Sequence, residues 1–134
     1  MREKQGIEVR LSVSRDDAID KVTDALKAEG FGVLTKIEMD KAFREKIGKK
    51  FRPYTILGTC NPQLAHAALT AAPEIGLMLP CNVTVEADIR GSLVRIVNPE
   101  IMLQTEELTA NNTLREVVHD ARQRLLRVAE ALRK

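Results

Sequence analysis

Residues 82–97 read NVTVEADIRGSLVRIV, and this stretch predicts a β-hairpin. Its first half alternates apolar and polar residues, which places one set of side chains on a single face of the strand: Val83, Val85, Ala87 and Ile89. Arg90-Gly91-Ser92 has the composition of a turn, and residues 93–97 return as a second strand. Because the two strands of a hairpin pair antiparallel, we expect a largely antiparallel sheet.

The chain before this hairpin predicts further strands separated by helices. Alternating or short apolar runs predict strands over 7–13, 31–37 and 53–59, and helical spacing predicts helices over 15–29, 39–47 and 62–72. The segment 62–72, PQLAHAALTAA, is almost entirely small or apolar, so we expect this helix to be buried on most sides.

A long helix is predicted after the hairpin. Its apolar residues form one stripe at helical spacing: Leu114, Val117, Val118, Ala121, Leu125, Val128, Ala129 and Leu132. Thr113 and Glu116 have the spacing of a capping box, which would start this helix, and Ser14 and Asp17 have similar spacing at the first helix. Asn61-Pro62 predicts another helix start, because asparagine caps well and proline suits the first helical position.

These elements predict an α+β fold, with helices packed on one face of a mostly antiparallel sheet and a long C-terminal helix. The sequence of 134 residues is 44% hydrophobic and 30% charged, which is the balance of a globular protein and the size of one domain, residues 1–134.

Charge and aromatic content argue against a nucleic-acid partner. The net charge is only +2, whereas nucleic-acid binders usually carry a basic excess. The aromatic residues that could stack on bases are three phenylalanines and one tyrosine, with no tryptophan.

Nothing in the sequence predicts export or membrane insertion. The start, MREKQG, is charged and is not followed by the apolar segment of a signal peptide, and no apolar run is long enough for a membrane span. We therefore expect a cytoplasmic protein without membrane contact, in which Cys60 and Cys81 are reduced.

One stretch resembles a known family. Residues 54–62 read YTILGTCNP and residues 77–81 read LMLPC, with Ala65, Leu69, Pro73 and Gly76 between them. This pattern is similar to the family called domain of unknown function 302, and the similarity extends over nearly the whole chain. The resemblance implies a TATA-binding-protein-like α+β fold, an antiparallel sheet with helices on one side, and frequent dimers. It implies no activity, and the fold alone gives no reason to expect DNA binding.

The residues with the most chemistry meet at one predicted corner. Cys60 ends a strand just before the helix that Asn61 caps, and Cys81 begins the next strand. If these strands are antiparallel neighbours, the two thiols come close together. His66 lies one turn into the helix and could reach back toward Cys60, because helical side chains lean toward the N-terminus.

This corner, consisting of Cys60, Asn61, His66 and Cys81, leaves three functions open. The first is a binding module for a small ligand or a soft metal ion, with Cys60, Cys81 and His66 as the metal ligands. The second is a thiol redox protein or thiol enzyme, with His66 as the base. The third is a structural or interaction protein in which both cysteines are simply buried. The sequence does not establish an enzyme and identifies no cofactor.

The connection Ile75-Gly76-Leu77-Met78-Leu79 is unusually apolar for a loop. Such a segment must be covered, either by the domain's own core, by a second subunit or by a ligand. We therefore expect it to close the core or to contact the partner in a homodimer.

Overall fold

The computed structural model describes residues 5–134. The prediction that the chain does not start with a signal peptide therefore rests partly on residues outside the described range. Five strands are described, namely β1 (Gly6–Leu11), β2 (Gly32–Glu38), β3 (Tyr54–Cys60), β4 (Cys81–Asp88) and β5 (Gly91–Val97). Five α-helices are described, namely α1 (Arg15–Ala28), α2 (Met39–Ile47), α3 (Pro62–Ala71), α4 (Glu106–Thr109) and α5 (Asn112–Arg133). Short 3-10 helices cover Pro73–Met78 and Pro99–Met102.

The strands form one antiparallel sheet in the order β1-β5-β4-β3-β2. The long helices α1 and α5 pack on one face, where Val22 and Leu125 meet Val85 and Val94 in the main core. These four side chains are almost completely buried. The predicted α+β fold with a mostly antiparallel sheet, helices on one face and a long final helix is confirmed.

The helix starts show which capping predictions were right. The Ser14 hydroxyl oxygen accepts a hydrogen bond from the Asp17 N–H at 3.2 Å, and the Asn61 side chain caps α3 in the same way. The capping box at Thr113 and Glu116 was wrong, because α5 begins earlier, with Asn111 as its cap. Asn111 also donates its side-chain N–H to the carbonyl of Ala71, which ties the start of α5 to the end of α3.

Two burial predictions also require correction. The hairpin turns at Ile89 and Arg90, so Ile89 leaves the inner face and is fully exposed. Helix α3 is not buried on most sides. Within it only Ala68 is fully buried, because α3 packs with one face against α5 and the 3-10 helix Pro73–Met78 and leaves the other face to solvent.

The apolar connection is divided between core and surface. Ile75 is completely buried in a second core cluster with Ala68, Cys81 and Leu114. Leu77 is 91% exposed. The prediction that this connection closes the core is thus confirmed for Ile75 and does not hold for Leu77. No helix in residues 5–134 is long and apolar enough to cross a membrane.

Candidate functional site

A cavity of about 370 Å³ opens where the ends of three strands meet α3 and α5. Strand residues contribute one wall, namely Leu34, Thr35, Thr59, Cys60 and Cys81. Helix residues contribute the other, namely Leu64, Ala65, Ala68 and Leu69 from α3, and Val117, Val118 and Ala121 from α5. Most of these side chains are apolar, and none of the residues that line the cavity is charged.

Three of the four residues predicted for the corner line this cavity. They are Cys60, Asn61 and Cys81. The Asn61 side chain serves the backbone on both sides, since its oxygen accepts from the Leu64 N–H at 3.2 Å and its nitrogen donates to the Glu29 carbonyl at 3.4 Å. The fourth residue, His66, is exposed and is not part of the cavity wall.

The two cysteines do not form the predicted pair. Both are free thiols, with Cys81 buried and Cys60 half-buried. The register explains why. Cys81 lies opposite Thr59, whereas Cys60 lies opposite Gly32 in the other neighbouring strand. Because of this offset of one residue, Cys60 and Cys81 line the same cavity without lying opposite each other in the sheet.

Burial sets the protonation of both thiols. It raises the pKa of Cys60 above its usual value. Burial, and to a smaller extent the charge of Cys60, raises the pKa of Cys81 to about 11. A helix N-terminus lowers the pKa of a thiol beside it, but at Cys60, which precedes α3, loss of solvation is the larger effect. At neutral pH both residues present protonated thiols to the cavity.

The mouth of the cavity lies beside strand β2, at the edge of the sheet. The pairing of β2 with β3 shifts between Val33 and Thr35, so Leu34 is an extra residue, a β-bulge. Bulges redirect side chains, and Leu34 lines the cavity while remaining 66% exposed. Leu69 of α3 also lines it and is 39% exposed.

Gly58 provides space at this mouth. A Cβ atom at position 58 would overlap the Thr35 hydroxyl oxygen and lie 2.9 Å from Pro80 Cγ. Glycine at position 58 therefore leaves the space that the Thr35 and Pro80 side chains occupy. The Thr35 hydroxyl has no hydrogen-bond partner in residues 5–134 and is exposed.

Comparison with known proteins agrees with the fold. The family described as Domain of unknown function DUF302 matches residues 7–132. The chain belongs to this family. A crystal structure of an uncharacterized conserved DUF302 protein from Bacillus stearothermophilus is similar, with 26% identity and a TM-score of 0.83. The alignment covers 96% of this chain and 98% of that one. No curated protein matches the chain.

The family match confirms the sequence resemblance. The predicted metal site, by contrast, has no support from the positions of the side chains. In the part of this DUF302 chain that the structure describes, no three histidine, cysteine, aspartate or glutamate side chains come together as a group that could hold a metal ion. Cys60, Cys81 and His66 thus remain candidates by sequence only.

The DUF302 sequence located one side of the cavity and missed the other. Residue type and position indicate a site at Cys60, Asn61 and Cys81, because these reactive or polar residues lie at predicted strand and helix ends. Leu34, Val117 and Ala121 are ordinary apolar residues, distant in sequence, and only the packing of α5 and the bulge in β2 brings them to the cavity. The weak signal that could have been used is the surplus of small residues in α3, which leaves space beside the helix.

Proposed function

We propose that this DUF302 protein is a binding module for a small, largely apolar ligand that occupies the cavity. The observation that carries the proposal is the combination of volume and lining. Small-molecule sites commonly enclose roughly 300–1,000 Å³ and are mainly apolar with a few placed polar groups. This cavity has about 370 Å³, with Thr35, Thr59 and Asn61 among apolar side chains.

The lining of the cavity supports a ligand site. The wall is almost entirely apolar and opens to solvent, so an apolar molecule that entered it would remove apolar surface from water. Alanines at three lining positions, Ala65, Ala68 and Ala121, keep the space open where larger side chains would fill it. Exposed Leu34 and Leu69 at the mouth would also be covered by an apolar ligand.

Thiol chemistry has less support than ligand binding. A nucleophilic or redox cysteine needs an accessible thiolate at neutral pH. Burial raises the pKa of both Cys60 and Cys81, and the exposed His66 lines no part of the cavity. We therefore give the cysteines the role of weakly polar parts of the wall.

The proposal is tested with phenylnaphthylamine, an uncharged dye that fluoresces strongly in apolar surroundings. Titration of the wild type should show saturable binding. In Ala65→Leu, three added carbons enter the cavity, so the affinity should fall at least tenfold. In the control Ala67→Leu, the same change lies on the same helix but outside the cavity lining, so the affinity should be unchanged.

Both variants place a strong helix former in α3, so neither should disturb the fold. Circular dichroism and thermal unfolding check this point. Absence of saturable binding to the wild type, or equal affinity in both variants, would contradict a ligand site in this cavity.

A further inference from the structure

The absence of charged side chains from the cavity wall restricts the ligand more than the volume of the cavity does. None of the residues that line the cavity carries a charged side chain. A charged group moved from water into such surroundings loses its hydration and finds no opposite charge to replace it. An ionised ligand would thus find no charged partner among the side chains that line the cavity.

The polar groups of the wall are already engaged with the protein. The Thr59 hydroxyl donates to the Cys81 carbonyl at 2.7 Å. Both ends of the Asn61 side chain bond to the backbone, to Leu64 and to Glu29. These bonds occupy the hydroxyl proton of Thr59 and one of the two amide protons of Asn61, so these two buried side chains keep a single N–H between them to offer a ligand.

The N-terminus of α3 adds little for an anion. Helix starts attract anions because their first N–H groups are free. Here Pro62 occupies the first position and has no N–H, and the Leu64 N–H is bound by Asn61. Of the first three residues only Gln63 keeps a free N–H, and Gln63 does not line the cavity. The protonated thiols of Cys60 and Cys81 are weak donors.

Thr35 is the one polar residue of the wall that is exposed, and we place it at the mouth. The Thr35 hydroxyl is exposed and has no partner among the described residues, and Gly58 leaves the space that this side chain occupies. A ligand that fills the apolar interior can therefore place a single polar atom beside Thr35 without losing its hydration.

We infer that the ligand is an uncharged molecule with an apolar body and one polar, non-ionised group, which lies at the mouth beside Thr35. The inference rests on the proposed function, since it assigns the chemical class of the ligand to the same cavity. It separates this site from sites for organic anions, in which charge-assisted hydrogen bonds hold the charged end of the ligand.

The experiment compares two dyes with nearly the same ring system. Phenylnaphthylamine is uncharged, and anilinonaphthalene sulfonate carries a sulfonate on the same skeleton. We expect the anionic dye to bind the wild type at least tenfold more weakly. Decanol should displace phenylnaphthylamine at neutral pH, whereas decanoate should do so at least tenfold less effectively.

The variant Thr35→Val tests the position of the polar group, because it keeps the shape of the side chain and removes the hydroxyl. Decanol should bind about threefold or more weakly to this variant, while naphthalene, which has no polar group, should bind as before. Unchanged decanol affinity would overturn the placement beside Thr35.

The possible results distinguish a failure of the inferred ligand class from a failure of the proposed binding function. Equal or tighter binding of the anionic dye, lost in Ala65→Leu and kept in Ala67→Leu, would overturn the uncharged class while leaving the cavity as a binding site. Failure of both dyes and of decanol to bind would overturn the proposed function itself.

Discussion

Single residues decide the chemistry of the cavity, and Cys81 is the clearest case. It is 8% exposed, lies in the second core cluster and faces the cavity. Its thiol is held protonated by burial, with a pKa of about 11 in place of the usual 9.0. A sequence that places a cysteine at the start of a strand does not reveal this, because the covering residues come from α3, α4 and α5.

The raised pKa of Cys81 predicts a loss of stability in alkali. Between pH 9.0 and about pH 11, the unfolded chain releases the thiol proton while the folded chain keeps it. The unfolded state is therefore favoured increasingly as the pH rises through this range, and the contribution is fully present below pH 9.0.

Urea unfolding at several pH values measures this effect. The free energy of unfolding of the wild type should fall more steeply between pH 9.0 and about pH 11 than that of Cys81→Ala, which has no thiol to titrate. The difference between the two free energies of unfolding reports the ionisation of Cys81 alone, because every other ionisable group is common to both proteins. Parallel curves for the two proteins would show that Cys81 ionises as easily in the folded state as in the unfolded one.

At the scale of elements, the start of α5 sets one wall of the cavity. Asn111 caps this helix and also binds the Ala71 carbonyl, so one side chain fixes the helices on which Ala65 and Val118 lie. Because α5 and α3 enclose the cavity between them, their relative position determines its volume.

Replacement of the cap should therefore be costly. Asn111→Ala removes both hydrogen bonds and should lower the free energy of unfolding by about 1–2 kcal/mol. Thr113→Ala changes an exposed residue inside the first turn and should lower it by less than about 0.5 kcal/mol. Urea denaturation of the two variants distinguishes the observed cap from the one that sequence spacing predicted. A larger loss in Thr113→Ala would mean that the helix starts where the sequence suggested.

These caps show what sequence can and cannot predict in this fold. Ser14 and Asn61 were found because each directly precedes a clear apolar period. Asn111 was missed because Thr113 and Glu116 have the more familiar spacing, although Asn111 is a good cap by composition. Which of two adjacent caps is used depends on the tertiary bond to Ala71, and that contact is invisible in a local pattern.

The cavity has the same limitation on a larger scale. Its strand side follows from Cys60 and Cys81 at element ends, which local patterns locate within a residue. Its helix side depends on the crossing of α3 and α5 and on an extra residue in β2, and neither is encoded by periodicity. The one-residue offset that separates the two thiols is also a property of the register, which the sequence leaves open.

For the whole molecule, the homodimer implied by the family resemblance stays a prediction, and the surface offers one place to test it. Leu77 is 91% exposed, although it lies in an apolar connection and only two residues after the fully buried Ile75. Burial of a leucine contributes about 1.5–3 kcal/mol, and a two-fold interface would bury two of them.

We expect sedimentation equilibrium to give twice the 15.0 kDa mass of one chain. Leu77→Ser should shift the protein toward the single-chain mass. The control Ile89→Ser replaces an equally exposed residue at the β4–β5 turn and should leave the dimer intact. A single-chain mass for the wild type at high concentration would contradict the dimer, and an intact dimer in Leu77→Ser would remove this connection from the interface.

The order of strands has a consequence for how the domain comes into being on the ribosome. Strand β1 is the first to be synthesised, yet its sole neighbour in the sheet is β5, with Ile7 opposite Ile96. Strands β2, β3, β4 and β5 each lie next to the strand made just before or after them, but β1 stays without a partner until most of the domain has left the exit tunnel. Vectorial synthesis therefore cannot complete this sheet step by step. A nascent chain paused before residue 91 would leave β1 unpaired, with the side chains of Ile7 and Val9 uncovered, and unpaired strand edges of this kind are prone to aggregation.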